Sequence, residues 1–126
     1  MASAPSGRLG HATGDAVLKD VSYVLRKQLR AFDLAYRLGG EEFLVLLPGA
    51  DADQTLSLAE ELREAVSASS VAGGVDVTLS LGVSASGRGE AFDYAVVFAE
   101  ADAALYEAKR LGRDRVCGGE LLPVAG

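Results

Sequence analysis

The chain has 126 residues, 49% hydrophobic and 24% charged, which suits one globular domain with a core of its own. Its net charge of −6 argues against nonspecific binding to a nucleic-acid polymer, since that affinity comes from neutralising phosphates. No apolar run approaches the ~20 residues of a membrane-spanning helix, and residues 1–8 carry no signal-peptide core.

Cys117 is the only cysteine; it admits no internal disulfide, fits a reducing cytoplasm and reads as a small apolar residue ending a strand. Residues 1–9 are small and polar, hold Pro5 and Gly7, and read as an irregular lead-in. Val17, Leu18, Val21, Val24, Leu25 and Leu29 recur at helical spacing and predict a helix over residues 13–31, capped by Thr13 or Asp15. Apolar segments 34–38 and 43–47 then flank Gly39-Gly40-Glu41-Glu42. That pattern predicts a hairpin turning at the glycine pair, because primed turns need positive φ at both central positions. Glycine has no Cβ, so phosphates can lie against the backbone there. Two adjacent carboxylates beside it point to metal-assisted phosphate chemistry.

Pro48-Gly49 closes the hairpin, and Asp51 or Asp53 opens a second helix with Leu56, Ala59, Leu62 and Val66 on one face. After a turn-rich stretch over 67–74, Val75, Val77, Leu79, Leu81 and Val83 alternate with polar or small residues, the mark of a strand. Residues 92–111 are helical, as one helix or as a short one followed by a longer one from about Glu100. Lys109 and Arg110 fall in its last turn, and Gly112 stands at the αL stop position. A short strand over 113–117 follows. The basic residues cluster at Arg26, Lys27, Arg30 and Arg37, and again at Lys109, Arg110, Arg113 and Arg115. Such clusters in an acidic chain suit a small anionic ligand, and equally suit solvated helix ends. The order α-β-β-α-β-α-β predicts an α+β domain around a largely antiparallel sheet. One more strand before the first helix would complete the βαββαβ order of ferredoxin-like folds.

Five blocks carry a resemblance: Gly10-His11-Ala12-Thr13-Gly14-Asp15, then Arg37-Leu38-Gly39-Gly40-Glu41-Glu42-Phe43, then Thr78-Leu79-Ser80-Leu81-Gly82-Val83, then Ala101-Asp102-Ala103-Ala104-Leu105-Tyr106-Glu107-Ala108-Lys109, then Gly112-Arg113-Asp114-Arg115-Val116. In this order the chain resembles the GGDEF domain of bacterial diguanylate cyclases from about residue 9 to residue 117. The domain is placed at 10–118, after the lead-in and before a tail at 119–126. The resemblance implies a ferredoxin-like, nucleotidyl-cyclase-like α+β fold. It also implies a reaction in which two domains of a homodimer each present one GTP and form cyclic di-GMP with release of two diphosphates.

Residue by residue, the resemblance makes Glu41 a Mg2+ ligand and the catalytic carboxylate, and Glu42 a second acid near phosphates and metal. Gly39 and Gly40 let the hairpin approach the triphosphate, Lys109 and Arg113 contact phosphate, and Asp15 accepts hydrogen bonds from the guanine edge. Arg30-Ala31-Phe32-Asp33 is similar to the family's Arg-x-x-Asp inhibitory site for cyclic di-GMP, where Arg pairs with guanine acceptors and Asp with its N–H donors. Taken without the resemblance, the same residues are a helix-terminal arginine and a turn aspartate. Glu61 stands where the family often has a further basic residue, which implies reduced affinity. His11 reads as a helix-entry residue, Asp102 as a helix cap and Tyr106 as a packed aromatic.

Family members begin with a helix and a central strand bearing a metal-binding Asp, followed by a Lys and an Asn. Ser3 and Ser6 occupy the Lys and Asn positions here. The expectation is an N-terminally truncated domain that lacks the usual first strand and holds half a Mg2+ site. Little or no cyclisation by this chain is expected, with binding of cyclic di-GMP in its place. Two alternatives stand beside it, a cyclic di-GMP receptor module and a dimerising interaction domain without catalysis.

Overall fold

The computed structural model describes residues 1–4, 11–39, 41–69, 77–86 and 91–118. Its elements are β1 (Ala2–Ser3), α1 (His11–Gln28), β2 (Leu34–Gly39), β3 (Glu42–Leu46), α2 (Ala52–Ala68), β4 (Ser80–Gly82), α3 (Tyr94–Arg110) and β5 (Val116–Cys117). The strands form one sheet in the order β2-β3-β1-β4-β5. The pairs β2–β3, β3–β1 and β1–β4 are antiparallel, and β4–β5 is parallel. The expected α+β architecture is therefore present.

Helical periodicity decides what each helix buries. Val17, Leu18, Val21 and Leu25 of α1 and Ala59, Leu62 and Val66 of α2 enter one core with Phe43, Leu79 and Leu81. Of the two capping residues offered by sequence, Asp51 is used. Its Oδ1 accepts from Gln54 N at 2.8 Å, while Gln54 Oε1 accepts from Asp51 N at 2.9 Å. Such a capping box stabilises a helix start by about 1 kcal/mol. On the other face of the sheet, Ala101 and Leu105 of α3 pack with Met1 and Leu44. This helix runs unbroken from its Asp93 N-cap, so the two-helix alternative does not hold.

The approach of α3 to the sheet is set by one residue. A Cβ on Gly82 would lie 2.1 Å from Leu105 N and 2.2 Å from Ala101 O. Both are backbone atoms and cannot swing aside, so α3 lies directly on β4 only because glycine is there.

The N-terminus departs from expectation. Ala2 and Ser3 are not part of an irregular lead-in: Ala2 pairs with Phe43 on one side and Leu81 on the other, and Ser3 with Glu42 and Ser80. Ala2, Ser3 and Ala4 are fully buried. Small side chains that read as polar and weakly structured are what the crowded sheet centre accommodates, and backbone hydrogen bonds do the holding. The remainder of the expected lead-in lies outside the described residues. The Met1 ammonium donates to Gly82 O at 2.8 Å, and Gly82 N donates to Met1 O at 2.8 Å.

Other differences are smaller. The strand expected from alternation over 75–84 keeps its buried residues Val77, Leu79, Leu81 and Val83, but only 80–82 join a ladder, because β1 and β5 are two residues each. Residues 113–115 form a turn ahead of β5, which begins at Val116. Asp102 lies inside α3 and caps nothing, and Tyr106 is exposed. Among the described residues no helix is long and apolar enough to cross a membrane.

Two measurements probe this packing. Gly82→Ala should lower unfolding stability by about 1–3 kcal/mol, the usual cost of overpacking, and urea denaturation reads it directly. Burial lowers the Met1 amine from 8.0 to about 6 in the folded chain, against smaller opposing effects of Asp102 and Glu42. The folded form thus favours the neutral amine, so stability of the 126-residue chain should rise between pH 6 and 8, by up to about 3 kcal/mol. Acetylating the amine should abolish that rise.

Candidate functional site

Glu42 pairs with Gly39 across the hairpin, with a bulge between Arg37 and Gly39. Gly39 therefore belongs to β2 and not to the turn that the glycine pair suggested. Gly40 itself lies outside the described residues. This register puts Glu41 at the tip of the hairpin and Glu42 in the first position of β3.

The two carboxylates consequently part company. Glu41 O accepts from Ala4 N at 3.1 Å, and its Oε1 accepts from the buried Ser3 Oγ at 3.4 Å. Glu42 Oε2 is 3.3 Å from Lys109 Nζ. Side chains in β-structure alternate in direction, and the two acids accordingly meet different partners. Lys109 reaches the hairpin because α3 lies on Gly82 and ends beneath Glu42. Arg113 follows four residues later in an exposed turn, with its backbone at φ +64°. Asp15, on α1, is exposed and lies 3.6 Å from Arg37 Nη2. That long, solvated pair contributes little to stability and leaves the Asp15 carboxylate accessible to a ligand.

The Arg30–Asp33 motif sits at the other end of β2, about 17 Å away along a six-residue strand. Here the two side chains bind one another. Arg30 Nη2 donates to Asp33 Oδ1 at 2.7 Å, Arg30 Nε to Oδ2 at 2.9 Å, and Arg30 N to Oδ2 at 2.8 Å. Nη2 also donates to Pro48 O at 3.2 Å, and the guanidinium lies 4.6 Å from the Phe32 ring centre. The Asp33 side chain is inaccessible to solvent. Hydrogen bonds from Arg30 hold its carboxyl below the usual range, against the opposing effect of burial. In this arrangement the pair ties the end of α1 to the turn after β3.

The donor set bears on a metal. Among the described residues, no three His, Cys, Asp or Glu side chains gather at one point. Mg2+ needs only one or two carboxylates when phosphates and water complete its octahedron. Glu41 at the hairpin tip fits an ion that arrives with nucleotide phosphates, but not an all-protein cage. An apolar cavity of about 470 Å³, lined by residues including Leu34, Leu46, Val83 and Phe98, is not lined by Glu41, Glu42 or Lys109.

Sequence reasoning overlooked two features. One is the Ser3 hydroxyl beside Glu41; a two-residue strand has no periodicity to reveal it. The other is Arg63 of α2, whose Nη1 donates to Asp114 Oδ1 at 2.9 Å across 51 positions of chain.

A family model described as "Diguanylate cyclase, GGDEF domain" matches residues 6–115. The chain is 44% identical over 110 residues to diguanylate cyclase DgcP of Pseudomonas aeruginosa, a match covering 85% of this chain and 16% of that relative. It is 40% identical over 109 residues to diguanylate cyclase DosC of Escherichia coli, covering 85% of this chain and 24% of DosC. The chain thus spans a quarter or less of these two relatives. Among solved structures, the active GGEEF domain of a diguanylate cyclase from Vibrio cholerae superimposes with a TM-score of 0.83 at 28% identity, over 94% of this chain and 79% of that one. The GGDEF domain of DgcB from Caulobacter crescentus, in complex with c-di-GMP, gives 0.81 at 32% identity, over 94% and 75%.

One test concerns the Arg30–Asp33 pair alone. A depressed carboxyl stabilises the fold above its unfolded pKa and loses that contribution as pH falls through its folded value. Asp33→Asn should therefore lower the urea midpoint at pH 7, and its deficit relative to the parent chain should shrink below about pH 4.

Proposed function

The chain belongs to the GGDEF domain family of diguanylate cyclases, and from that premise we propose that its hairpin end binds GTP while the 126 residues by themselves cyclise it weakly or not at all. One observation carries the reading: next to the hairpin tip, the Glu42 carboxylate meets the cationic end of α3, 3.3 Å from Lys109 Nζ. A triphosphate entering there exchanges the Glu42 partner of Lys109 for a more highly charged one. Arg113 adds a second cation, and Asp15 accepts from the guanine N–H donors. Gly39 and Gly40 leave the hairpin without side chains where phosphate would approach.

Glu41 would hold Mg2+ together with the nucleotide phosphates; when bound, the ion supplies charge that offsets the phosphates and acidifies a coordinated hydroxyl. Ser3 orients the Glu41 carboxylate but brings no charge. Among the described residues Glu41 is the one acid placed for the metal at the hairpin tip, and in this reading that is the physical reason for weak catalysis. Joining two GTP molecules needs two such sites facing each other, so the active form is a homodimer, and cytoplasm, where GTP is abundant, is its setting.

Cyclic di-GMP is the second ligand in this reading, at Arg30 and Asp33. Support comes from the partly exposed Arg30 guanidinium stacked on Phe32 and from the c-di-GMP complex of the Caulobacter domain. Binding there must first open the Arg30–Asp33 pair, which costs affinity.

Calorimetric titration separates these parts. GTP with Mg2+ should bind, with Lys109→Ala weakening it about tenfold, as expected for a lost charged hydrogen bond. Glu41→Gln should weaken the Mg2+ dependence while sparing nucleotide binding without metal. Cyclic di-GMP binding should vanish in Arg30→Ala; an unchanged isotherm would exclude the upstream site. Robust conversion of GTP to cyclic di-GMP by the parent chain would contradict the weak-catalysis reading.

A further inference from the structure

We propose that Arg63 of α2 is a positioning residue for phosphate recognition, acting through Asp114 on the turn that presents Arg113. This rests on the reading above that Arg113 contacts nucleotide phosphate.

The turn between α3 and β5 has an unusual backbone. Gly112 has φ +123°, Arg113 +64° and Asp114 +47°. Two successive residues with side chains thus occupy the left-handed region, where a Cβ crowds the following carbonyl. Backbone of this kind persists only where surrounding contacts over-determine it. Those contacts can be named. Arg113 N donates to Ala108 O at 2.9 Å, and Arg113 O accepts from Arg115 Nε at 3.0 Å. Asp114 N donates to Ser80 Oγ at 3.1 Å, and Ser80 is fully buried in β4. The Asp114 carboxylate takes the remaining contact, from Arg63.

Arg63 suits this task. Its Nε donates to Glu60 Oε1 at 2.9 Å, and Nη2 is bonded to the same oxygen. With two arms of the fork fixed within α2, Nη1 is left pointing at Asp114 with little rotational freedom. Its side chain is only 21% exposed. The contact crosses the β5 edge of the sheet and links α2, on one face, to the end of α3, on the other. Asp114 is 42% exposed, and pairs of that exposure add little to global stability. The effect of the contact is therefore local: it selects the turn conformation from which Arg113 projects.

The test uses the full chain, with GTP and Mg2+ as one ligand and guanosine, which lacks phosphate, as the other. Arg63→Ala should weaken GTP about five- to tenfold, within the span seen for coupled neighbours, and leave guanosine unchanged. Arg63→Lys should recover part of the loss. Arg110→Ala removes the same charge from an exposed position one residue past Lys109 and should change neither affinity. In an Arg113→Ala background, Arg63→Ala should add nothing. Amide exchange at Arg113 and Asp114 should accelerate in Arg63→Ala while the α1 core amides stay protected.

The outcomes separate cleanly. A loss in Arg113→Ala with none in Arg63→Ala overturns the positioning role and leaves the phosphate reading standing. Equal loss of GTP and guanosine in Arg63→Ala, or additivity with Arg113→Ala, also overturns it. No effect of Arg113→Ala, or no GTP binding by the parent chain, sinks the phosphate reading and this proposal together.

Discussion

The sheet is continuous because the backbone of residues 1–4 bonds to β3 on one side and to β4 on the other. Without that join, the β2–β3 hairpin and the β4–β5 pair would share no ladder among the described residues. The same few residues also reach the site. Ala4 N holds the Glu41 carbonyl, Ser3 Oγ holds its carboxylate, and Met1 packs with Leu44 against α3. Central strand and candidate site are thus one mechanical unit, and a buried backbone group left unpaired there would cost as much as a lost hydrogen bond.

The second constraint is the absence of a side chain at Gly82. Contact between α3 backbone and β4 brings the last helical turn under the hairpin, so that Lys109 meets Glu42. Charge follows from this placement. The hairpin contributes two acids, and the helix end contributes cations where the helix dipole also favours them. In the proposed reading this two-signed site takes a triphosphate with its metal, which presents both signs.

Much of this was readable in the chain. Helical spacing of apolar residues located α1 and α2, and Asp51 was one of two caps offered, because local sequence controls helix starts directly. The Gly-Gly-Glu-Glu hairpin was legible because glycine between apolar runs leaves few backbone choices. Its register was not: Gly39 faces Glu42 because of the bulge after Arg37, and a bulge depends on both strands. β1 escaped notice for a related reason. Two small residues carry no periodic signal, and their pairing depends on backbone groups that every residue possesses.

The sequence by itself determined the family, the element order from α1 onward and the identity of the charged residues. Those rest on local spacing and on blocks of residue types that persist in order. Tertiary structure alone decided that Ser3 stands beside Glu41, that Glu41 and Glu42 face different partners, that Arg30 and Asp33 close on each other, and that Arg63 reaches Asp114. Each of these depends on where a side chain points once the backbone is placed. For all but Arg30 and Asp33, it also depends on segments far apart in the chain being brought together.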